Sequence, residues 1–253
     1  MGYDPGLPGN SPHRWPLIIL LFSGMVVCYA HRGALSIAAP VMIKEMGLSP
    51  GVMGVLLSAF FWSYSLLQVP SGWLVDRLGV KRSYAVGYTL WSAASAATGF
   101  ATAQLVLIAV RMGVGIGQAV AFPASSRAVA DWFEEKERGI ITASYLTGVR
   151  IGQALIGGVG PFLLATYGSK MFFLATGLVP LLWLLPWWQV VGEQEAHVAA
   201  QPIPPAARTQ TSFLAGLGLL RQRTALGVFL GLDRKSTRLN SSHIQKSRMP
   251  SSA

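Results

Sequence analysis

Long apolar runs constrain this chain more than any other feature of its sequence. A helix needs about 20 apolar residues to cross the hydrocarbon core of a bilayer. Inside that core, backbone N–H and C=O groups must pair within the segment, which favours helices. The sequence therefore predicts an all-α membrane protein with a six-helix bundle and a seventh helix that begins near Thr224. The predicted spans are residues 16–39, 52–74, 84–102, 105–126, 140–163 and 171–191.

Composition supports a membrane location and limits the possible functions. Apolar residues make up 52% of the chain and charged residues only 12%, about half the charged fraction of a soluble domain. The single cysteine, Cys28, lies in an apolar run, so we expect no disulfide framework. The first run is too long for a signal peptide and lacks its cleavage site. No run carries a metal cluster, a catalytic triad or a phosphate loop, so we expect neither an enzyme nor a cofactor.

The distribution of lysine and arginine predicts the orientation of the chain in the membrane, because basic residues concentrate in cytoplasmic loops. If the N-terminus lies in the cytoplasm, only two basic residues of the loops before the final tail fall on the outer side, namely Lys44 and Lys170. The basic residues on the inner side are then Arg14, Arg77, Lys81, Arg82, Arg127, Lys136, Arg138, Arg208, Arg221 and Arg223. The sequence therefore predicts a multi-pass protein with a cytoplasmic N-terminus.

A short polar loop separates the second and third runs and reads GWLVDRLGVKR, residues 72–82. We expect Gly72 and Gly79 to let the backbone turn tightly. Asp76 can pair with a basic group or with a helix N-terminus. The basic residues that hold the loop on the cytoplasmic side are Arg77, Lys81 and Arg82. An ordinary cytoplasmic loop needs neither the aspartate nor the pair of glycines.

The pattern of this loop resembles the G-x-L-x-D-R-x-G-x-[RK]-[RK] loop between helices 2 and 3 of the major facilitator superfamily. Every fixed position of that pattern is matched. The resemblance implies a gating role for the loop, to which we add Arg127 at the inner end of the fourth run.

Three arginines lie within the predicted spans, namely Arg32, Arg111 and Arg150. Each costs at least ~2.5–3.5 kcal/mol at a helix centre, and no span contains an Asp or Glu to pair with them. A positive site without a fixed counter-charge suits an anion, and the planar guanidinium suits a carboxylate. The alternative for Arg32 and Arg111 is snorkelling to the interface. For Arg150 the alternative is bonding to helix carbonyls.

Two of these arginines are predicted to lie at similar depth. At a rise of ~1.5 Å per residue, Arg32 and Arg111 lie roughly 9–12 Å below the outer edge. Tyr29 is three residues before Arg32 and shares its helix face. Tyr64 and Gln68, four residues apart in the second run, can add hydroxyl and amide contacts. These five residues form the predicted substrate site.

Several segments resemble the anion:cation symporter family of the superfamily. They are YAHR (29–32), LSIAAP, GLSPGVMGVLLSAFFWSYSLLQVPSGWL, RMGVGIGQ (111–118) and AFPASSRAVADWF. The family includes hexuronate, glucarate, galactonate and phthalate permeases, and the resemblance covers about residues 15–232. It implies a secondary transporter in the bacterial inner membrane that moves a small organic anion, a sugar acid or related carboxylate, by alternating access. It also implies that Tyr29, Arg32, Tyr64 and Arg111 line the substrate cavity.

Two departures from this family concern cation coupling. Where the family has Asp before the first arginine and Glu seven residues after the second, this chain has His31 and Gln118. In bacterial members those carboxylates carry proton coupling. Gln cannot titrate, whereas His31 can, with an unperturbed pKa of about 6.5, or it is a neutral residue of the pore. Coupling to H⁺ or Na⁺ is therefore left open.

The last residues, DRKSTRLNSSHIQKSRMPSSA (233–253), resemble the in-frame translation of a common sequencing adapter. We expect this tail not to be native. Without its five basic residues and one acidic residue, the net charge falls from +10 to +6, so the charge gives no reason to expect a nucleic-acid partner.

The predicted organisation is that of one half of a superfamily transporter, containing two inverted three-helix repeats. A cytoplasmic tail (1–15) precedes the six-helix bundle (16–191), a cytoplasmic linker (192–223) and a truncated helix 7 (224–232). The partner would be the missing C-terminal half. Two other functions stay open at this point, a sugar-phosphate/phosphate exchanger and a membrane sensor that binds an organic anion.

Overall fold

The computed structural model describes residues 14–199, which belong to one compact unit of the chain and are almost entirely helical. The elements are α1 (Arg14–Met46), α2 (Pro50–Thr98), α3 (Gln104–Gln118), α4 (Ala121–Trp132), α5 (Glu135–Leu178), a 3₁₀ helix (Val179–Trp183) and α6 (Leu184–Ala199). Most of the predicted N-terminal tail and linker, the truncated helix 7 and the adapter-like tail lie outside the described residues.

Within residues 14–199, four continuous stretches are long and apolar enough to cross a membrane by length and composition. They are Trp15–Met46, Pro50–Thr98, Gln104–Trp132 and Glu135–Gly192. The prediction of an all-α protein with helices able to span a membrane is therefore confirmed. The finer prediction of six separate crossings stays a prediction.

Two glycines interrupt the longest helices. Gly79 (φ 79°, ψ 166°) divides α2, and Gly168 (φ 75°, ψ 171°) divides α5. Glycine has no Cβ and adopts positive φ at little cost, so it suits these two breaks in the helices better than other residues do. The prediction that Gly72 also turns the backbone is wrong, because Gly72 lies in regular helix and a Cβ there would meet nothing within 4 Å.

Close contacts between glycines and backbones hold the helices together. α1 packs mainly against α5, and α2 against α3. A Cβ on Gly148 of α5 would lie 2.6 Å from the carbonyl oxygen of Phe22, and one on Gly117 of α3 would lie 2.6 Å from that of Gly87. Small residues at these positions let the helix axes approach, which is a common basis of helix association in membranes.

Serine hydroxyls add polar links between α2 and the neighbouring helix. Ser63 Oγ donates to the carbonyl of Met112 at 2.9 Å, and Ser71 Oγ donates to that of Ala119 at 2.8 Å. Ser63 lies between Phe60 and Tyr64, so its bond holds that stretch of α2 against α3.

Candidate functional site

A polar layer separates the two apolar clusters of the bundle. Along α1, Arg32 lies between Cys28 of one cluster and Ala34 of the other. Along α3, Arg111 lies between Leu107 and Val114, which belong to different clusters in the same way. The two arginines therefore occupy the same level of the bundle, where apolar packing is interrupted.

Aromatic rings surround the guanidinium of Arg32; the residue as a whole is half-buried, and its Nη2 atom is buried. Its Cζ lies 4.5 Å from the ring centroid of Tyr29, 4.9 Å from that of Phe60 and 4.4 Å from that of Tyr64. Each such contact contributes roughly 0.5–2 kcal/mol and offsets part of the cost of desolvating the cation. The Nη1 group donates to the hydroxyl of Tyr29 at 3.4 Å, while Nη2 has no hydrogen-bond partner among the described residues.

The buried amide of Gln118 links the side chain of Arg32 to the backbone carbonyl of Cys28, one turn earlier in α1. Its Oε1 accepts from Nε of Arg32 at 2.8 Å, and its Nε2 donates to the carbonyl of Cys28 at 3.0 Å. Both ends of the amide are thus engaged, which fixes its orientation. Because this partner is neutral, it orients the guanidinium without cancelling its charge.

Arg111 lies next to Arg32 but is more deeply buried, with 8% of its surface exposed. Its Nη2 donates to the backbone carbonyl of Arg32 at 3.2 Å, and its Cζ lies 5.3 Å from the ring centroid of Phe60. Its Nε has no partner among the described residues. The structure thus brings the two predicted arginines together, and both contact the ring of Phe60.

Phe60 was missed by the sequence analysis. The available signal was its position four residues before Tyr64, on the same helix face. The two rings stack with centroids 5.4 Å apart. The hydroxyl of Tyr64 also accepts a hydrogen bond from Nε2 of Gln68 at 3.2 Å. The predicted pair of Tyr64 and Gln68 therefore forms one edge of the cluster around Arg32.

His31 contacts different elements from its neighbour Arg32. Only 2% of its surface is exposed, and its Nε2 bonds to the backbone carbonyl of Thr176 in α5. A carbonyl only accepts, so Nε2 carries the proton. Nδ1 has no partner among the described residues. The side chain borders a small cavity that Arg111 also lines.

Arg150 does not join this cluster. Its side chain is exposed on α5, and none of the hydrogen bonds or ring contacts found at Arg32 and Arg111 within residues 14–199 involves it.

Ion pairs and ring contacts organise the predicted gating loop, which lies in the middle of α2 around Gly79. Arg127 of α4 bonds Asp76 at 3.1 Å and Asp131 at 2.7 Å. Lys81 lies 4.6 Å from the ring centroid of Trp188 in α6. The other basic residues of the loop are Arg77, which stacks on Trp73 at 4.6 Å, and the exposed Arg82.

Residues 21–232 match the profile of the Major Facilitator Superfamily, and this range covers most of the chain. The chain belongs to the major facilitator superfamily. This confirms the prediction made from the loop between the second and third runs. Because the superfamily and the relatives below are transporters, the prediction that the chain is not an enzyme is confirmed as well.

Two curated relatives of this superfamily member are named as transporters. It is 34% identical over 183 residues to the "D-galactonate transporter" of Escherichia coli O6:H1, covering 72% of this chain and 42% of that protein. It is 33% identical over 190 residues to the "probable galactarate/D-glucarate transporter" GudP of Bacillus subtilis, covering 73% of this chain and 42% of that protein. The chain thus spans less than half the length of these relatives.

A solved structure with the same fold is that of a bacterial homologue of the human lysosomal transporter Spinster, in an inward-facing and unoccupied conformation. The TM-score is 0.65 at 18% identity, and the match covers 84% of this chain and 50% of the other. At 18% identity, the likeness to this structure supports the fold and says nothing about the substrate.

Proposed function

We propose that this chain is the N-terminal half of a secondary transporter that moves a small organic anion, a sugar acid or related carboxylate, across the bacterial inner membrane by alternating access. The observation that carries the proposal is the guanidinium of the half-buried residue Arg32. It is held by aromatic rings and a neutral amide, and its Nη2 donor is unused among the described residues.

The geometry of Arg32 suits a carboxylate better than a neutral sugar. Burying a cation is costly unless an opposite charge accompanies it, and Gln118 supplies none. An incoming carboxylate supplies the missing charge and accepts from the planar donor edge. Tyr29 and Tyr64 add hydroxyls beside the guanidinium, and these can orient the rest of the substrate. Arg111 adds a second positive charge at the same level.

The names of the relatives agree with this chemistry. D-galactonate, galactarate and D-glucarate are sugar acids, each with one or two carboxylates and several hydroxyl groups. A site that combines arginine with tyrosine hydroxyls and an amide, such as that of Gln68, offers partners for both kinds of group.

The proposed topology has six crossings, with the N-terminus in the cytoplasm. The breaks at Gly79 and Gly168 support it, because each divides a helix that is too long for one crossing. We propose residues 16–191 as the six-helix bundle and 192–223 as the cytoplasmic linker to the second half. The substrate cleft would then lie between the halves, with α1, α2 and α3 supplying its arginine side.

Cation coupling would differ from that of family members with two carboxylates. Gln118 cannot titrate, and both ends of its amide are engaged. His31 is therefore the candidate in this half for a proton-dependent step.

Counterflow in proteoliposomes tests the proposed function. The complete transporter is reconstituted, the vesicles are loaded with unlabelled D-galactonate, and entry of labelled D-galactonate is followed. We expect rapid entry, inhibition by D-glucarate, and no inhibition by the neutral sugar D-galactose. Equal inhibition by D-galactose would contradict an arginine-based anion site. Inhibition by hexose phosphates alone would favour the sugar-phosphate exchanger, and anion binding without counterflow would favour the sensor.

A further inference from the structure

His31 is a buried polar side chain outside the proposed anion site, and only one of its two ring nitrogens has a hydrogen-bond partner among the described residues. Its Nε2 is bonded to the carbonyl of Thr176, whereas its Nδ1 has no partner among the described residues. With the proton on Nε2, Nδ1 is a free acceptor that can receive a proton. Buried polar atoms without a protein partner are commonly satisfied by water.

The cavity beside His31 has the size and polarity to hold one water. Its volume is about 10 Å³, which is about one water-sized probe sphere. Nε of Arg111 is a second buried atom without a partner, and Arg111 lines the same cavity. A water there can accept from Arg111 and donate to Nδ1 of His31. The other lining residues are Leu35, Leu56, Ser95, Thr98, Leu107, Val114 and Phe173.

A second and larger cavity adjoins the first. Its volume is about 310 Å³, and it shares Thr98 and Phe173 with the cavity beside His31. Its mouth carries the exposed Glu45, which accepts a hydrogen bond from Ser169, and the exposed Thr102. The lining between Glu45 and His31 thus includes several hydroxyl groups among apolar side chains, and Thr98 and Phe173 border both cavities.

We propose that these two cavities form one water route by which protons reach Nδ1 of His31 from the Glu45 end of the bundle, apart from the substrate cleft. A proton that passes along the route binds the lone pair of Nδ1 and makes an imidazolium, while Nε2 keeps its own proton and still donates it to the Thr176 carbonyl. Release reverses the step through the same atom. The inference rests on the proposed function and topology, which make the Glu45 end the outer one.

The route differs from the anion site because His31 and Arg32 contact different elements, and Arg111 borders both. Arg32 contacts Gln118 and the rings of α2, whereas His31 contacts α5 and the cavity. The charged group that faces His31 across the cavity is Arg111 of α3. The second segment of α2 contributes Ser95 and Thr98 to the lining, and α5 contributes Phe173; none of these side chains titrates.

The consequence is that His31 responds to the pH of one side of the membrane, whichever way the substrate cleft faces. Protonation adds a positive charge one residue from Arg32. We therefore expect binding of the anion to strengthen when the outer pH falls, and to be insensitive to the inner pH.

Cysteine accessibility tests the route without requiring transport. T98C and T102C are made in the complete transporter after any cysteines of the second half are replaced, which leaves the fully buried Cys28 as an internal control. A small, membrane-impermeant methanethiosulfonate is added from the outer side. We expect T102C and T98C to be modified and the parent protein with Cys28 alone to stay unmodified. Modification of T102C with T98C as inert as Cys28 would overturn the route.

Anion binding at different outer pH values tests whether the route controls the protonation of His31. The affinity for D-galactonate is measured on oriented proteoliposomes, for the parent protein, for H31N and for modified T98C. We expect the parent to show stronger binding at lower outer pH, and H31N and modified T98C to lose that dependence. A dependence that survives in H31N, or one that follows the inner pH, would refute the inference. If D-galactonate is not bound at all, the proposed function fails, while the labelling still decides on the route.

Discussion

Replacing Arg32 by lysine tests the role assigned to its guanidinium. Arg32→Lys keeps the positive charge and much of the aliphatic stem. It removes the planar fork and with it the Nε donor that binds Gln118 at 2.8 Å. A lysine ammonium is a strongly hydrated point charge that cannot make two parallel bonds to a carboxylate. The substitution therefore separates the geometry of the donor from its charge.

The expected magnitude follows from the bonds that are lost. If the anion binds Arg32 through two parallel N–H···O bonds, lysine retains one of them. A hydrogen bond to a charged group contributes about 1.5–3 kcal/mol, and 1.4 kcal/mol corresponds to a factor of ten in affinity. We therefore expect Arg32→Lys to weaken binding of D-galactonate by roughly 10- to 100-fold. The maximal counterflow rate at saturating substrate should change less than the affinity.

The assay is counterflow by the complete transporter over a range of D-galactonate concentrations, after the amount of folded protein has been matched. The control is Lys44→Arg, the reverse exchange at an exposed position of the same helix, which should leave the affinity unchanged. The reasoning predicts a similar loss for Arg111→Lys. Near-normal affinity in both Arg32→Lys and Arg111→Lys would refute the assignment of the site.

Three further predictions follow from single contacts. Gln118→Glu places a carboxylate where the amide oxygen now accepts from Nε of Arg32 at 2.8 Å. The affinity for the anion should therefore fall at neutral pH and recover at acid pH, where the new carboxylate is protonated. An affinity that does not change with pH would contradict this. Gly117→Val forces a Cβ to within 2.6 Å of a backbone oxygen of α2 and should lower thermal stability in detergent by about 1–3 kcal/mol, whereas Gly157→Ala, in open space, should not. Asp76→Asn removes an ion pair that is about half exposed and should cost about 1 kcal/mol or less in the same unfolding assay.

Much of the fold was predictable because the bilayer restricts the possible structures. The apolar runs had the length of membrane spans, and the described helices cover them. The turn at Gly79 was also predicted from the loop pattern, whereas Gly72 proved to be helical. Both glycines fit the same pattern, and the sequence alone does not show which of them takes a positive φ.

The candidate site was predictable in part, for a related reason. Helix rise placed Arg32 and Arg111 at one depth, and the structure has them in contact through the Arg32 carbonyl. Phe60 was missed because its position four residues before Tyr64 is a weak signal in a run that contains several other aromatic residues. The bond from His31 to Thr176 was not predictable, since it joins a side chain to a backbone carbonyl 145 residues away.

The most direct test of the central claim is a structure of the complete transporter with D-galactonate bound. We expect one carboxylate oxygen pair of the anion to accept from the guanidinium of Arg32 at about 2.7–2.9 Å, with a hydroxyl of the sugar acid near Tyr29 or Tyr64. Density for the anion in a place where no oxygen reaches Arg32 or Arg111 would contradict the account.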